Sequence, residues 1–287
     1  ALSNLTDEVF CRYVNSVFLD NDEYILIVTP SLFEANQLYD NLLNYQDKVY
    51  LFPMDDFLTS EALATSPDLM VNRLETINSI ISNKKVIVIT NLMGYLRFLP
   101  TVGTYKNNIK TINCNQDFAQ EEFIRYLDNI GYNRESVVTK TGEYAVRGFI
   151  VDVFILGQDH PVRFEFFGDN IESIRIFDED TQKSTKNMSS VIIYPYSEFI
   201  LSKDVDVPVR KQKYLSIYDS VQSLLEYLGN CITFYKDPSQ LEVTYKNIFT
   251  EVVEYHSQSD VDFDGNYMFS IDELNPGKLN YYLTVNN

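Results

Sequence analysis

The 287-residue sequence has no tryptophan, and it has few of the residues that often carry catalysis or cross-link small folds, with two histidines and three cysteines. Cys11, Cys114 and Cys231 are widely spaced and odd in number, which excludes a disulfide framework and a CxxC metal pair. We expect each cysteine to be a small buried apolar residue. His160 and His256 lie in no context typical of a catalytic triad or a metal site.

Positive charge is also scarce. The 23 Lys and Arg residues face 41 Asp and Glu residues, which gives a net charge of -18 and a pI near 4.4. Such a chain repels a phosphate backbone unless basic residues cluster, and no such cluster is visible. No apolar run is long enough to span a bilayer and no signal peptide is visible, so we expect a soluble, cytoplasmic protein without a membrane partner.

A phosphate-binding loop is missing as well. The pattern GxxxxGK[ST] does not occur, and the segment 5–10, which could feed a helix, has no glycine or lysine and carries two acidic residues that repel phosphate. We therefore expect no cofactor and no nucleotide hydrolysis in this chain. Asp55 and Asp56 could hold a hard cation, but paired acids at a strand end more often cap the next helix.

The pattern of apolar residues predicts an α/β fold. Hydrophobic residues make up 45% of the chain, and its length favours two or more lobes. Residues 1–113 alternate short apolar strands with amphipathic helices, which indicates a parallel sheet covered on both faces. The alternation resumes at residues 197–287. We therefore predict one parallel-sheet domain in two parts, interrupted by a small α+β domain at 114–196 that contains an antiparallel meander.

The most informative stretch is 141–178, TGEYAVRGFIVDVFILGQDHPVRFEFFGDNIESIRIFD. It predicts three strands joined by short turns. Because side chains alternate along a strand, one face of the middle run is expected to be core and the other outward. The core set is Val162, Phe164 and Phe166, and the outward set is Arg163, Glu165 and Phe167. In the preceding run we place one set on a single face: Ala145, Arg147, Phe149, Val151 and Val153.

Arg147, Arg163 and Phe167 are thus expected to lie close together on one side of the meander. Two arginines beside an aromatic residue is the composition enriched at interface hot spots. The stretch carries no nucleophile, metal cluster or phosphate loop, so it indicates recognition rather than catalysis. The alternative is that Arg163 and Glu165 are an ordinary exposed pair and Phe167 is a core residue.

The segments GEYAVRGFIVDVF and PVRFEFFGDNIESIRIFDEDTQKS resemble the second domain of bacterial transcription-repair coupling factors and, less closely, of the excision nuclease subunit UvrB. The upstream segment FPMDDFLTSEALATSPDLMVNRLETIN resembles the first domain of the coupling factors. The resemblance covers essentially the whole chain as a UvrB-homology module, most strongly over 130–182. Unlike UvrB, this chain has a degenerate phosphate loop, and segment 90–95 leaves no room for a DNA-clamping hairpin.

The resemblance implies a degenerate P-loop, helicase-like lobe and a second domain that recruits UvrA, the damage-recognition ATPase, to stalled RNA polymerase. The UvrA-contacting positions of the family match Arg147, Arg163 and Phe167, and positions implicated in the UvrB version match Arg134 and Glu165. In the larger protein that the resemblance implies, an ATP-dependent DNA translocase, C-terminal domains bind ATP, Mg²⁺, DNA and RNA polymerase. One of those domains masks the UvrA-binding surface.

Two other functions stay open at this point. The chain could be a UvrB-like subunit that binds ATP and DNA and processes damage. It could also be an autoinhibitory module that holds a longer translocase closed.

Overall fold

The computed structural model describes residues 2–3, 5–56, 66–82, 84–203, 205, 207, 210–258, 266–274 and 279–284. The chain divides into two compact units, the first formed by residues 1–99 and 211–287 and the second by residues 100–210. Strands and helices are numbered below in chain order.

The strands are β1 (Leu2–Ser3), β2 (Tyr24–Thr29), β3 (Val49–Phe52), β4 (Ile87–Asn91), β5 (Leu99–Pro100), β6 (Lys110–Asn113), β7 (Asn133–Arg134), β8 (Glu143–Arg147), β9 (Ile150–Val153), β10 (Val162–Phe167), β11 (Asn170–Phe177), β12 (Ser184–Met188), β13 (Ser190–Ile193), β14 (Val221–Gln222), β15 (Cys231–Lys236) and β16 (Leu279–Thr284). The helices are α1 (Asp7–Asp20), α2 (Leu32–Leu43), α3 (Pro67–Ile81), α4 (Leu92–Tyr95), α5 (Val102–Asn107), α6 (Gln120–Asn129), α7 (Leu215–Tyr218), α8 (Leu224–Leu228) and α9 (Pro238–Gln258). Short 3₁₀ turns span Gln212–Tyr214 and Ile271–Glu273.

The first unit is built on a parallel sheet in the order β1-β16-β15-β2-β4-β3. Its central strands β2 and β4 are short, nearly all apolar and buried, as expected for a sheet covered on both faces. The predicted parallel-sheet α/β fold is confirmed. The strands that follow residue 230 join this sheet beside β2, because β15 pairs with β2 on one side and β16 on the other.

Helices α1 and α2 cover one face of this sheet. Alternate residues of the strands point toward that face and pack against the helices. The apolar residues at this face form one buried cluster: Phe10, Cys11, Val14, Phe18, Ile25, Ile27, Ala35, Leu38, Leu42, Ile87, Ile89, Ile232 and Phe234. Both helices begin at a hydroxyl cap, Thr6 for α1 and Ser31 for α2. Helix α3 is tied to the sheet by Thr76, whose hydroxyl donates to the Leu51 carbonyl at 2.9 Å.

The second unit contains a six-stranded sheet in the order β12-β11-β10-β9-β8-β7. Neighbouring strands of this sheet are antiparallel, except that β7 and β8 are parallel. The predicted antiparallel meander is confirmed. Helix α6 packs on one face of this sheet. The Phe123 ring lies 4.9 Å from that of Phe164 and 5.6 Å from that of Phe166, measured between ring centroids.

The predicted domain boundaries at 113/114 and 196/197 lie inside this second unit. At the first boundary, a separate two-stranded ladder in which β6 pairs antiparallel with β13 joins residues 110–113 to the second unit. None of the described helices is both long and apolar enough to cross a membrane.

Two sequence predictions are corrected. The run from 145 to 153 is not one strand, because a two-residue turn at Gly148 and Phe149 divides it into β8 and β9, with Arg147 paired to Ile150. The side chains of Val151 and Val153 therefore face away from those of Ala145 and Arg147. Cys114 is only partly buried, and its thiol donates to the Glu172 carbonyl at 3.1 Å, whereas Cys11 and Cys231 are buried as expected.

Candidate docking surface

The register of the meander shows which of the predicted site residues share a face. Across β8, β9 and β10, Arg147 pairs with Ile150 and Ile150 with Glu165. One step along, Ala145 pairs with Asp152 and Asp152 with Arg163. Directly paired residues point to the same side, so Arg147, Glu165 and Arg163 occupy one face, opposite the face covered by α6. We call it the outer face.

The outer face has an exposed end, formed by the β8–β9 and β10–β11 turns. Arg147, the last residue of β8, is exposed. Within the described part of the chain its guanidinium has no ion pair. Phe167, the last residue of β10, is 78% exposed, while its neighbour Phe166 is buried against α6. The expectation that Phe167 points outward therefore agrees with the structure, and the core alternative does not.

Arg163 lies on the same face, but its guanidinium is paired with residues of its own unit. Its Nε donates to Asp152 Oδ1 at 2.7 Å and its Nη2 to Asp152 Oδ2 at 2.9 Å. Nη2 also donates to Gln182 at 3.0 Å, and the guanidinium lies 4.3 Å from the centroid of the Phe177 ring. Only 16% of the Arg163 side chain and 2% of the Asp152 side chain are exposed. The hydrogen bonds that Arg163 donates to the Asp152 carboxylate raise the pKa of Arg163 despite partial burial.

Glu165 is likewise paired within the sheet. Its carboxylate forms an ion pair with Arg175 on β11 and accepts a hydrogen bond from the Ser173 hydroxyl at 2.8 Å. About a third of each charged side chain is exposed. Glu165 and Arg163 thus form cross-strand pairs that stabilise the register of β9, β10 and β11. Of the predicted site residues on the outer face, Arg147 and Phe167 are the two left free to meet a partner.

Arg134 is separated from these residues. It lies on β7, the edge strand, and pairs with Tyr144 in a parallel register. Tyr144 faces α6, where its hydroxyl donates to Asp128 at 2.6 Å. Arg134 is exposed but belongs to the helix-covered side of the sheet, not to the outer face.

One residue at the exposed end was not selected from the sequence. Phe149 occupies the β8–β9 turn and is 72% exposed. Gly148 before it has a φ of 60°, a conformation that glycine adopts readily. A glycine followed by a second turn residue between two apolar runs is a hairpin signal, so the RGF segment contained the information that was missed.

A buried carboxylate supports the loop that enters β8. Oε2 of Glu143 accepts hydrogen bonds from the Thr139 amide at 2.8 Å, the Thr139 hydroxyl at 3.0 Å and the Lys140 amide at 3.1 Å. Burial opposes ionisation, but these bonds outweigh it and lower the pKa of Glu143. Next to it, Gly142 has a φ of 88°, and a Cβ there would lie 2.0 Å from the Tyr196 ring.

The remaining candidates have structural partners. Asp56 accepts hydrogen bonds from the Leu32 amide at the start of α2 at 2.8 and 3.1 Å. It therefore caps a helix, but the prediction that it caps the next helix is wrong, because α2 precedes Asp56 in the chain. His160 lies 3.1 Å from Glu179, and that hydrogen bond raises the pKa of this exposed histidine. Among the described residues, no three His, Cys, Asp or Glu side chains cluster as metal ligands.

The chain is similar to known proteins over most of its length. Residues 111–199 match the family model of the UvrB interaction domain. The chain is also 36% identical over 207 residues to the transcription-repair-coupling factor of Staphylococcus haemolyticus, a match that covers 71% of this chain and 18% of the relative. It is 35% identical over 191 residues to that of one Staphylococcus aureus strain, bovine RF122 / ET3-1, covering 66% of this chain and 16% of the relative.

The second unit thus carries a UvrB interaction domain, and the exposed end of the outer face belongs to it. With the flanking α/β unit, the chain is a UvrB-homology module of the kind found at the N-terminal side of transcription-repair-coupling factors. It spans less than a fifth of the length of these curated relatives.

Proposed function

We propose that this chain is a non-catalytic adaptor that binds UvrA through the exposed end of the outer face and thereby recruits UvrA to stalled RNA polymerase. One observation carries the proposal: Arg147 and Phe167 are exposed together, on one face and at one end of a UvrB interaction domain. The names of the curated relatives support the setting in transcription-coupled repair.

The two residues have different roles in this proposal. The guanidinium of Arg147 offers several fixed donors to a carboxylate or to carbonyls on UvrA. Phe167 contributes an apolar ring that can fill a pocket on UvrA, and aromatic and arginine side chains dominate interface energies. Arg163 acts as a positioning residue, because its paired guanidinium holds β9 and β10 in the register that places the other two.

A binding titration with purified UvrA tests the proposal. We expect Arg147→Glu and Phe167→Ala each to weaken binding by about 2 kcal/mol or more, roughly 30-fold in Kd. Arg134→Glu makes the same charge change in the same sheet on the opposite face, and it is the matched control. Equal losses for Arg147→Glu and Arg134→Glu would contradict the proposed face, because they would indicate a general charge effect.

We also infer that the α/β unit does not hold a nucleotide, in contrast to a UvrB-like ATP-binding subunit. In parallel sheets phosphates bind at helix N-termini beyond the carboxyl ends of the strands. Here Asp56 accepts from the N-terminus of α2, and Lys236 at the end of β15 lies 3.0 Å from Asp7 and 3.4 Å from Glu34. The protein's own carboxylates thus compete with phosphate for these donors.

Titration of the chain with a fluorescent ATP analogue and Mg²⁺ tests this second inference. We expect no saturable signal in the micromolar range. Saturable micromolar binding that unlabelled ATP displaces would contradict it and favour the UvrB-like alternative.

A further inference from the structure

A second exposed aromatic residue lies at the same end of the outer face as Phe167. Phe149, in the turn between β8 and β9, is 72% exposed, and Phe167, before the turn between β10 and β11, is 78% exposed. Antiparallel pairing of β8, β9, β10 and β11 brings both turns to one end of the sheet. Single exposed apolar residues are ordinary on protein surfaces, but two aromatic residues at one end of a small sheet beside an exposed arginine are less common.

The backbones of the two residues are joined directly. The carbonyl of Phe149 accepts a hydrogen bond at 2.8 Å from the amide of Phe166, the residue immediately before Phe167. The turn is also anchored from the other side, since the side chain of Gln120 donates to the Gly148 carbonyl at 2.8 Å. Phe149 is therefore presented by a fixed turn, and ordering it on binding costs less conformational entropy than ordering a side chain on a mobile loop.

Within the described residues, the side chain of Phe149 makes no ring stacking or cation–π contact. Its ring is largely in solvent, and the sheet contacts of the turn are made by backbone atoms of residues 148 and 149. A polar residue would serve the turn equally well without the cost of exposing an apolar ring.

We propose that Phe149 is a second aromatic anchor of the docking surface and that, with Phe167 and Arg147, it meets an apolar groove on UvrA bordered by acceptors for the arginine. This inference rests on the proposed function, because it assigns a further residue to the same partner. It adds apolar area on the β8–β9 side of Phe167 and so predicts that the partner contacts both turns, not the β10–β11 turn alone.

The test compares UvrA affinity for Phe149→Ala, Phe149→Leu, Arg147→Glu and Phe33→Ala. Phe33, on α2 of the other unit, is 68% exposed and controls for loss of an exposed ring. We expect Phe149→Ala to weaken binding about tenfold, Phe149→Leu to recover most of the affinity, and Phe33→Ala to change it less than twofold. Amide hydrogen exchange of β8 and β9 without UvrA checks that the Phe149 variants keep the turn.

The outcomes separate the two proposals. If Arg147→Glu weakens binding and Phe149→Ala, with the turn intact, does not, the role of Phe149 is overturned and the docking surface stands. If Phe149→Ala and Phe149→Leu weaken binding equally, the partner recognises the aromatic ring and not apolar area alone, and the aromatic anchor stands. If the unchanged chain does not bind UvrA, the proposed function itself fails, and this inference fails with it.

Discussion

The pair formed by Arg163 and Asp152 gives a prediction that separates folding from docking. Removing Arg163 leaves the Asp152 carboxylate, whose side chain is only 2% exposed, without its two hydrogen bonds of 2.7 and 2.9 Å. Breaking a buried ion pair by removing one partner costs about 3–5 kcal/mol. The Arg163 side chain keeps some contact with water, 16% of its area, so we expect the lower end of that range.

The substitution Arg163→Met keeps an apolar side chain of similar length and removes the guanidinium that pairs with Asp152 and lies over the Phe177 ring. We expect it to destabilise the second unit by about 3 kcal/mol, a large share of the 5–15 kcal/mol typical of a domain. A second substitution, Asp152→Ala, made in the same chain removes the buried carboxylate that has lost its partner. The double variant should therefore recover part of the loss, with a coupling energy of about 1–3 kcal/mol.

Urea titration followed by amide hydrogen exchange of β9 and β10 measures this effect within the second unit. Arg12→Met is the control, since Arg12 pairs with Glu8 at the surface, where both side chains are about two-thirds exposed, and should leave the exchange unchanged. If Arg163→Met were as stable as the unchanged chain and yet lost UvrA binding, Arg163 would be a direct contact and not a positioning residue.

Two further predictions concern the loop that enters β8. Glu143→Gln should remove a pH-dependent part of the stability. Because the pKa of Glu143 is lowered in the folded state, its ionised carboxylate stabilises the protein above the ordinary pKa of 4.5. That stabilisation is lost as the pH falls through the folded-state pKa. The difference in urea midpoint between the unchanged chain and this variant should therefore shrink below about pH 4.5, and a difference independent of pH would contradict the assignment. Gly142→Ala should destabilise by roughly 1–3 kcal/mol, because its Cβ meets the Tyr196 ring. Gly157→Ala has a similar φ of 80° but open space, so thermal unfolding should show a clearly smaller loss, and equal losses would indicate backbone strain alone.

The parallel sheet was predictable because its strands are almost continuously apolar. Segments 24–29 and 87–91 are each too short for a helix and lie beside helices with a clear 3.6-residue period. The order of the strands was not predictable in the same way. The insertion of β15 between β2 and β16 depends on packing between residues more than 200 positions apart, for which a local pattern carries no signal.

At the docking surface, alternation predicted the faces of β10 correctly and failed from 145 to 153. Side-chain alternation holds only within a strand, and the turn at Gly148 and Phe149 restarts it on a new strand. The partners of Arg163 and Glu165 were equally hidden. Whether a charged residue on an outward face is free or paired depends on cross-strand register, which brought Asp152 beside Arg163 and Ser173 beside Glu165.

Hydrogen exchange of the whole chain with and without saturating UvrA tests the central proposal most directly. We expect UvrA to slow exchange in the β8–β9 turn around Arg147 and Phe149 and at the end of β10 near Phe167, and to leave β7 at Arg134 unchanged. Protection confined to β7, or to the parallel sheet of the first unit, would contradict docking through the outer face.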